Sequence, residues 1–365
     1  MAESVGGNVD GIGEMIVSIA GRQIGEGFPA FIVAEAGTNH EGDLATALEM
    51  IRNAKMSGAD AIKFQSFLAD ELVPRKHPEY EYLKSAEMPE GWYPELLEAG
   101  RKEGIIVFST ASNATTLTWM EKLNFPCYKI ASGNLTHLPL IRRAASTGKT
   151  LIMSTGYATM PEINSAVQCA KDAGNEQIIL LHCVGNYLTM EGEVNLRMVN
   201  TLRKTFRCPS GYSDHMTHET ACKAAAVIGA DVIEKHVSLN PRGKGGDHKI
   251  SADFLSFGMM ISFIRAAEFM LGAQEKIVGE RERLGGLGAR RILYASCDIQ
   301  AGTVIAEDMI LYLRPHGRTE SMTGKLNGLQ PKAVEWVVGK KARRPIAEQS
   351  PIQWQDLEFP DAFLG

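Results

Sequence analysis

Cysteine is scarce in this sequence, and its spacing forms no recognisable pair. Six cysteines occur in 365 residues, at positions 127, 169, 183, 208, 222 and 297, without a Cys-x-x-Cys motif. The pattern lacks the dense framework of a disulfide-rich secreted protein and the closely spaced thiolates of a structural zinc site. We expect buried, reduced thiols and a cytoplasmic location.

Blocks of one charge sign and long apolar runs are scarce as well. The net charge is −5, and 44% hydrophobic with 22% charged residues is the balance of a globular protein. Without a basic block, neither nucleic acid nor an anionic membrane is the expected partner. The start, "MAESVGGNVDGIGEMIV", predicts no secretory signal. We expect no apolar run to approach the roughly 20 residues that span a bilayer.

What the sequence does contain is an alternation of short β-branched runs with helix-period segments. Eight strand candidates lie at 31–36, 60–65, 105–110, 127–132, 150–155, 178–183, 209–214 and 232–237. Between the first two, Asp43 can cap a helix, apolar residues recur at helical spacing, and Gly58 can end it. Eight such units predict an α/β protein with a (β/α)8 TIM barrel, in preference to an open doubly wound sheet.

Composition divides the chain into four parts. Residues 1–15 are predicted to be a disordered tail, and 16–278 form the barrel domain, which opens with a hairpin at 16–27. The glycine-rich and charged stretch 279–290 is typical of a linker. Short alternating runs with a Gly-Thr turn predict a small β-rich domain over 291–365.

An internal similarity indicates which side chains enter the barrel. "SGADAIKFQ" (57–65) and "IGADVIEKH" (228–236) share Gly-Ala-Asp before a strand. Side chains alternate along a strand, and the apolar face should meet the helices. Lys63 and Gln65 therefore point inward, as do Glu234 and His236. Lys235 points the other way, and we expect it to be a solvated charge at the rim.

Polar side chains gather at the carboxyl ends of the predicted strands, where the active sites of such barrels lie. His215 and His236 end neighbouring strands, about 4.8 Å apart, and both point inward. Two imidazoles without thiolates favour an exchangeable divalent ion, Mn²⁺ or Mg²⁺, with water and substrate completing its shell. Cations and short hydroxyls that suit a small anion with phosphate and carboxylate groups are Lys63, Thr110, Lys129, Ser132 and Ser213.

The stretch "GYSDH" (211–215) combines the residue types of a serine hydrolase. It lacks the GxSxG elbow and the strand-to-helix turn that such a nucleophile needs, which argues against hydrolysis. We interpret it as a strand end that presents Ser213 to a phosphate and His215 to a cation. Asp214, on the opposite face, is expected to be structural.

These stretches together resemble the sialic acid synthase family, which condenses phosphoenolpyruvate with an N-acetylated hexosamine. The matching segments include "FIVAEAGTNHEGDLATALEMI", "GADAIKFQSF", "YKIASGNLTHLPLI", "GYSDH", "GADVIEKHVSLN" and "GGDHKISADF", in family order. "IQAGTVIAEDMILYLRP" and "VVGKKARRPIAEQSPIQWQDL" resemble the family's C-terminal SAF, or antifreeze-like, domain. The resemblance covers nearly all of the chain after residue 15.

The resemblance assigns roles to individual positions. It implies that phosphoenolpyruvate is bound by Lys63, Thr110, Lys129, Ser132 and Ser213, and that His215 and His236 ligate the metal. The sugar would face Gln65, Tyr187 and Asp247. Glu35 would lie beside the reacting atoms. Apart from the resemblance, our hypothesis is that Glu35 or Glu234 carries the proton of the attacking water. A homodimer with swapped SAF domains is implied, with Arg314 entering the partner's site.

Three positions depart from the family pattern. Asn134, at a position that contacts the sugar, stands where a glutamate is frequent. Gly185 stands where a polar residue often helps to hold phosphoenolpyruvate, and Asn186 beside it is a candidate substitute. The segment 316–331 after Arg314 is longer than usual.

The expected reaction gives a nine-carbon 2-keto-3-deoxy acid and phosphate. The acceptor stays open among N-acetylmannosamine, its 6-phosphate and a diacetamido sugar. Two alternatives also stay open: a Schiff-base pyruvate aldolase using Lys63 or Lys129 as nucleophile, and a non-catalytic sugar-binding or ice-binding protein.

Overall fold

The computed structural model describes residues 16–243, 247–315 and 326–359. The chain divides into two compact units, with the boundary between Gly272 and Ala273. The predicted disordered tail, 1–15, lies outside the described residues.

The first unit is a closed parallel barrel, which confirms the predicted fold class. Its strands are β3 (Phe31–Gly37), β4 (Ala61–Ser66), β5 (Ile106–Ala111), β6 (Cys127–Ile130), β7 (Thr150–Ser154), β8 (Ile178–Cys183), β9 (Ser210–Asp214) and β10 (Val232–His236). They pair in chain order, and β10 closes the ring against β3. Both faces of each strand are buried, which explains the apolar runs of strands such as β7 and β8, and polar side chains gather towards the carboxyl ends.

Helices follow the strands of the barrel along the chain. They are α1 (Leu44–Met56), α2 (Ala69–Leu72), α3 (Tyr80–Ser85), α4 (Trp92–Glu103), α5 (Ala114–Lys122), α6 (Leu138–Ala145), α7 (Met160–Asp172), α8 (Arg197–Phe206), α9 (Thr220–Val227) and α10 (Phe254–Leu271). Helix α1 begins and ends where the sequence predicts. Asp43 accepts a hydrogen bond from the amide of Thr46, and Gly58 follows the helix at a positive φ of 89°.

A two-stranded hairpin precedes the barrel, formed by β1 (Val17–Ile19) and β2 (Arg22–Ile24). The Thr150 hydroxyl, at the start of β7, donates a hydrogen bond to the carbonyl of Ser18 at 3.0 Å. The hairpin therefore sits at the amino-terminal end of the strands, opposite the ends where the polar residues gather.

Helix α10 differs from expectation. By length and composition alone its 18 residues could cross a membrane, and only 28% of that stretch is buried. The expectation that no apolar run approaches this length was wrong, because the helix carries just two charged residues, Arg265 and Glu268. Its buried side packs on the barrel through residues that include Phe257 and Ile264.

The second unit has its own small core. It contains α11 (Glu280–Ala289), the antiparallel strands β11 (Ile292–Ala295) and β12 (Ile310–Leu313), and α12 (Val334–Val337). The helix α11 lies within the stretch predicted as a linker. Its glycines argue against a helix, but Glu280 and Glu282 in the first turn favour one electrostatically.

Candidate active site

A buried pair of opposite charges occupies the barrel interior at the carboxyl ends of β3 and β4. Glu35 and Lys63 form an ion pair in which their side chains are 1% and 3% exposed. Gln65 donates a hydrogen bond to Glu35 Oε1 at 2.8 Å, and Lys63 donates one to Thr110 Oγ1 at 3.2 Å. Lys63 and Gln65 thus both point into the barrel, as strand alternation predicts.

A second carboxylate lies between two lysines. Glu234 on β10 accepts a hydrogen bond from Ser213 Oγ at 2.8 Å. Its oxygens lie 3.6 Å from Lys129 Nζ and 3.8 Å from Lys63 Nζ. Four strands therefore contribute one connected polar network, and each of its residues Glu234, Ser213, Lys129 and Lys63 is at most 3% exposed.

The two carboxyl groups have opposite pKa shifts. Burial raises the pKa of Glu35 above its ordinary value, although Lys63 opposes the change. Burial acts on Glu234 in the same direction, but Lys129 and Lys63 outweigh it and hold the pKa of Glu234 below its ordinary value. Neighbouring carboxyl groups with separated pKa values can serve as a proton carrier and a fixed anion.

The two lysines, Lys63 and Lys129, also have opposite pKa shifts. Burial favours the neutral amine of Lys63, but Glu234 and Glu35 raise its pKa above the ordinary value. Burial lowers the pKa of Lys129. Lys63 and Lys129 give this network the cationic groups that an anionic ligand requires.

The two predicted metal ligands lie side by side. The ring centroids of His215 and His236 are 5.3 Å apart, with their planes at 54°. His215 Nδ1 is 2.8 Å from the carbonyl oxygen of Val184. When Nδ1–H donates to that carbonyl, Nε2 keeps its lone pair, as a metal-bound imidazole requires.

Several features of this pair fit a divalent ion. Burial lowers the pKa of His215 and of His236, so both rings are neutral, the ligating form. His236 Nδ1 is buried without a hydrogen-bond partner among the described residues, and Asp247 Oδ2 lies 3.5 Å away. No cluster of three or more His, Cys, Asp or Glu side chains suited to a metal occurs in the described residues. The protein would therefore contribute two imidazoles and leave other positions open.

Asp247 approaches this site because a glycine makes room. Gly37 ends β3 with a positive φ of 54°, and a Cβ there would overlap Asp247 Oδ2. Burial, followed by the charge of Glu35, raises the pKa of Asp247 to about 6.

Of the residues predicted to face the sugar, Tyr187 contacts the histidine pair directly. The Tyr187 ring stacks on His215 with centroids 4.5 Å apart and meets His236 edge-on at 6.2 Å. Asn134 ends a turn of 3₁₀ helix (Ser132–Asn134), and its amide donates to the carbonyl of Ser112 at 3.3 Å. Arg314 follows β12 in the second unit. Of the predicted long segment 316–331, residues 316–325 lie outside the described part of the chain.

Tyr157 explains the glycine at position 185. Its hydroxyl donates to the Gly185 carbonyl, and a Cβ on Gly185 would overlap its ring. Tyr157 has a positive φ of 62°, which is uncommon for a non-glycine residue. The exposed Asn186 lines the adjoining cavity of about 370 Å³. Gly156, next to this tyrosine, donates its amide to Ser132 Oγ at 3.1 Å.

The expectation for Lys235 was wrong. Lys235 is fully buried, and its ammonium lies 2.7 Å from Asp214 Oδ2. Alternation correctly turned both side chains away from the interior, but helices and loops cover that face. Asp214 and Lys235 lie on neighbouring strands at positions that alternation turns outward. This pattern in the sequence could have predicted their ion pair. No comparable signal marked Cys183, whose Sγ lies 3.9 Å from His215 Nδ1.

Comparison with known proteins matches both units. The NeuB family model matches residues 50–276, and the SAF domain model matches 290–358. The chain is 40% identical to an uncharacterised protein of Methanocaldococcus jannaschii over 93% of this chain and 98% of that one. It is 32% identical to the N,N'-diacetyllegionaminic acid synthase of Legionella pneumophila, over 92% and 96% of the two chains.

A solved structure is also similar. It is the N-acetylneuraminic acid (sialic acid) synthetase of Leptospira borgpetersenii in complex with citrate, with 32% identity and a TM-score of 0.71. The match covers 74% of this chain and 94% of that one.

Proposed function

We propose, from the premise that the chain belongs to the NeuB family of sialic acid synthases, that it condenses phosphoenolpyruvate with an N-acetylated amino sugar. The products are a nine-carbon 2-keto-3-deoxy acid of the sialic type and inorganic phosphate. The observation that carries this proposal is the pair of neutral imidazoles, 5.3 Å apart, beside a buried network of two lysines and two carboxyl groups.

Phosphoenolpyruvate is held by the basic side of this network. Lys63 and Lys129 supply the charge, and the short hydroxyls of Thr110, Ser132 and Ser213 supply hydrogen bonds that fit phosphate and carboxylate oxygens. Asn186 stands near the phosphoenolpyruvate site beside Gly185. Burial strengthens each of these contacts, because little water competes for the ligand.

The sugar aldehyde lies on the histidine side. His215 and His236 hold a divalent ion, Mn²⁺ or Mg²⁺, which when bound supplies Lewis-acid polarisation of a carbonyl oxygen. Tyr187, Gln65, Asp247 and Asn134 border the acceptor. The nucleophilic carbon of phosphoenolpyruvate forms a bond to the aldehyde carbon, water adds to the phosphate-bearing carbon, and phosphate leaves with cleavage of its C–O bond.

Glu35 is the better candidate for carrying the proton of that water. Burial raises its pKa above the ordinary value, whereas the pKa of Glu234 is lowered, and a hydrogen bond from Gln65 fixes its orientation. Glu234 stays ionised between two lysines and acts by holding Lys63, Lys129 and Ser213 in place.

The acceptor and the assembly belong to the same proposal. A diacetamido sugar is the first acceptor to test, because a 32%-identical relative is named as a synthase of a diacetylated product. A cytoplasmic homodimer with exchanged SAF domains, in which Arg314 enters the partner's site, follows from the family resemblance.

The test measures phosphate release from phosphoenolpyruvate with a panel of N-acetylmannosamine, its 6-phosphate and a diacetamido hexose, with Mn²⁺ or Mg²⁺. Mass spectrometry of the product should find acceptor plus a three-carbon unit. Absence of acceptor-dependent phosphate release across the panel contradicts the proposal.

One observation favours a Schiff-base aldolase as the second candidate. Burial lowers the pKa of Lys129, as a nucleophilic amine requires. Borohydride trapping with pyruvate separates the two: a covalent adduct on Lys129 supports the aldolase, and phosphate release without an adduct supports the synthase. A non-catalytic sugar-binding protein would bind the sugar but show neither a covalent adduct nor phosphate release.

A further inference from the structure

The two histidines of the site differ in how their rings are held. A metal-binding imidazole is usually oriented by a hydrogen bond at its second ring nitrogen. The carbonyl of Val184 is such a partner for Nδ1 of His215, at 2.8 Å. Nδ1 of His236 has no hydrogen-bond partner among the described residues, and Asp247 Oδ2 lies 3.5 Å from it. The orientation of the His236 ring therefore depends on where Asp247 is held.

Asp247 lies in the segment between β10 and α10, outside the strands of the barrel. A turn of 3₁₀ helix (His248–Ile250) follows it, and Ser251 comes directly after that turn. The Ser251 hydroxyl donates a hydrogen bond to the Asp247 carbonyl at 2.7 Å. Because a hydroxyl carries a single proton, the Ser251 oxygen can still accept a hydrogen bond from another group.

Asn39 supplies that hydrogen bond. Its side-chain amide donates to Ser251 Oγ at 2.8 Å and to the carbonyl of Val237, the residue after His236, at 2.9 Å. A carbonyl can only accept, so the nitrogen of the amide must face both partners. Asn39 is 3% exposed, and little water competes for these bonds. One amide group thus joins the strand end that carries His236 to the segment that carries Asp247.

Asn39 is itself anchored to a third element of the site. It follows β3 in a tight turn, in which its backbone amide donates to the Ala36 carbonyl at 3.0 Å. Ala36 is the neighbour of Glu35 in the same strand. The side chain of Asn39 therefore starts from a fixed strand end, which is what precise placement of a neighbouring group requires.

We propose that Asn39 is a positioning residue for the divalent ion, acting through Asp247 on the ring of His236. This inference rests on the proposed function, in which His215 and His236 hold that ion. An approach of about 0.3 Å brings Asp247 Oδ2 to hydrogen-bonding distance from Nδ1 of His236. When Nδ1–H donates to this carboxylate, Nε2 keeps the lone pair that a metal ion needs. Without the amide, the segment must be ordered when the ion binds, which weakens binding.

A second link joins the same two segments, but it ends at the surface. His248 Nε2 lies 2.9 Å from Glu41 Oε1, and His248 Nδ1 lies 2.8 Å from Ser238 Oγ. The side chain of Glu41 is 61% exposed, and contacts of charged groups that are open to solvent contribute little. The buried amide of Asn39 is therefore the stronger of the two links.

The test measures the affinity of the full chain for Mn²⁺, without substrate, from the EPR signal of the free ion. Asn39→Ala should raise the Kd by about ten-fold, the lower end of the effect of groups that orient metal ligands. Ser251→Ala is a milder change and should raise the Kd by at least about three-fold. The double variant should lie within about two-fold of Asn39→Ala, because both substitutions break one contact.

Asn175→Ala is the matched control. Asn175 is 2% exposed, and its amide likewise donates to two acceptors, the carbonyls of Ala145 and Lys149. It precedes β8, at the amino-terminal end of the barrel strands. Asn175→Ala should therefore lower the urea midpoint of unfolding, as Asn39→Ala does, but leave the Kd for Mn²⁺ within about two-fold of the unmodified protein.

The outcomes separate this inference from the proposed function. The same Kd in Asn39→Ala and the unmodified protein would overturn the inference and leave the proposed function standing. So would equal weakening by Asn39→Ala and Asn175→Ala, or effects of Asn39→Ala and Ser251→Ala that multiply in the double variant. An unmodified protein that binds no Mn²⁺ would overturn both the inference and the proposed histidine site.

Discussion

Lys235 Nζ lies 2.7 Å from Asp214 Oδ2, in an ion pair with both side chains fully buried. Asp214 also accepts a hydrogen bond from the Tyr212 hydroxyl at 2.8 Å, and Lys235 donates to the carbonyl of Met216. Each member of the pair directly precedes one of the two histidines in sequence. The pair therefore ties the two histidine-bearing strand ends together from the side facing the helices.

Breaking this pair should be costly for stability. In Lys235→Met, Asp214 becomes a buried charge without its cation, and we expect the free energy of unfolding to fall by about 3–5 kcal/mol. Equilibrium unfolding in urea measures this change in the free energy of unfolding. The double variant Lys235→Met/Asp214→Asn removes both charges and should recover more than half of the loss. A loss under about 1 kcal/mol in the single variant would show that the pair does not hold the strand ends.

Gly185 and Tyr157 should be energetically coupled. Because a Cβ at position 185 overlaps the Tyr157 ring, Gly185→Ala should cost about 1–3 kcal/mol of unfolding free energy. In a Tyr157→Ala background the same change should cost less than about 0.5 kcal/mol. Equal costs in both backgrounds, measured as a double-mutant cycle, would mean that the ring does not set the requirement for glycine.

His40 should make stability depend on pH. Burial lowers the pKa of His40 from 6.5 to about 4. Between these values the unfolded chain binds the proton and the native chain does not, so the free energy of unfolding falls as the pH drops. The contribution is complete above pH 6.5, and about 2 kcal/mol of it is lost by pH 5.

A matched variant isolates this contribution. His40 meets Trp92 edge-on, with centroids 5.6 Å apart, and His40→Phe can keep that ring contact without titrating. Urea unfolding at pH 7 and pH 5 should show a smaller loss in the variant than in the unmodified protein, by about 2 kcal/mol. The same loss in both proteins would exclude His40 as the cause.

Glu35→Gln separates proton transfer from binding. It keeps the shape and a hydrogen-bonding oxygen but cannot carry a proton, so turnover should fall by about 10²–10⁴-fold. The KM for phosphoenolpyruvate should change by less than about five-fold, because the lysines still hold the anion. Glu49→Gln, at an exposed position on α1, is the control for loss of one carboxylate. Turnover within about three-fold of the unmodified protein would remove Glu35 from the chemistry.

The alternation of strand and helix patterns predicted the barrel, and the alternation of side chains along each strand predicted which residues point into it. Both patterns can be read from residues that are close in sequence. The period of two placed Lys63, Gln65 and Glu234 inside before any contact was known. The same rule turned Lys235 outward but could not show that helices and loops bury that face. Burial of a lysine depends on its partner, and Asp214 is 21 residues away in sequence.

Other features depend on contacts between segments that are distant in sequence or were not predicted from composition. The contact of Tyr157 with Gly185 joins the loops after β7 and β8, which only the closed barrel brings together. Helix α11 forms in a glycine-rich stretch whose composition is that of a linker. The apolar length of α10 was missed in the sequence, and the exposure of its outer side depends on which side of the helix meets the barrel.

The central claim is that His215 and His236 hold one divalent ion needed for condensation. Acceptor-dependent phosphate release from phosphoenolpyruvate should be measured after EDTA treatment and again after Mn²⁺ is restored, in the unmodified protein and in His236→Ala. We predict release that disappears with EDTA and returns with Mn²⁺ in the unmodified protein, and no return in His236→Ala. Near-normal release in the EDTA-treated protein, or in His236→Ala, would contradict the account.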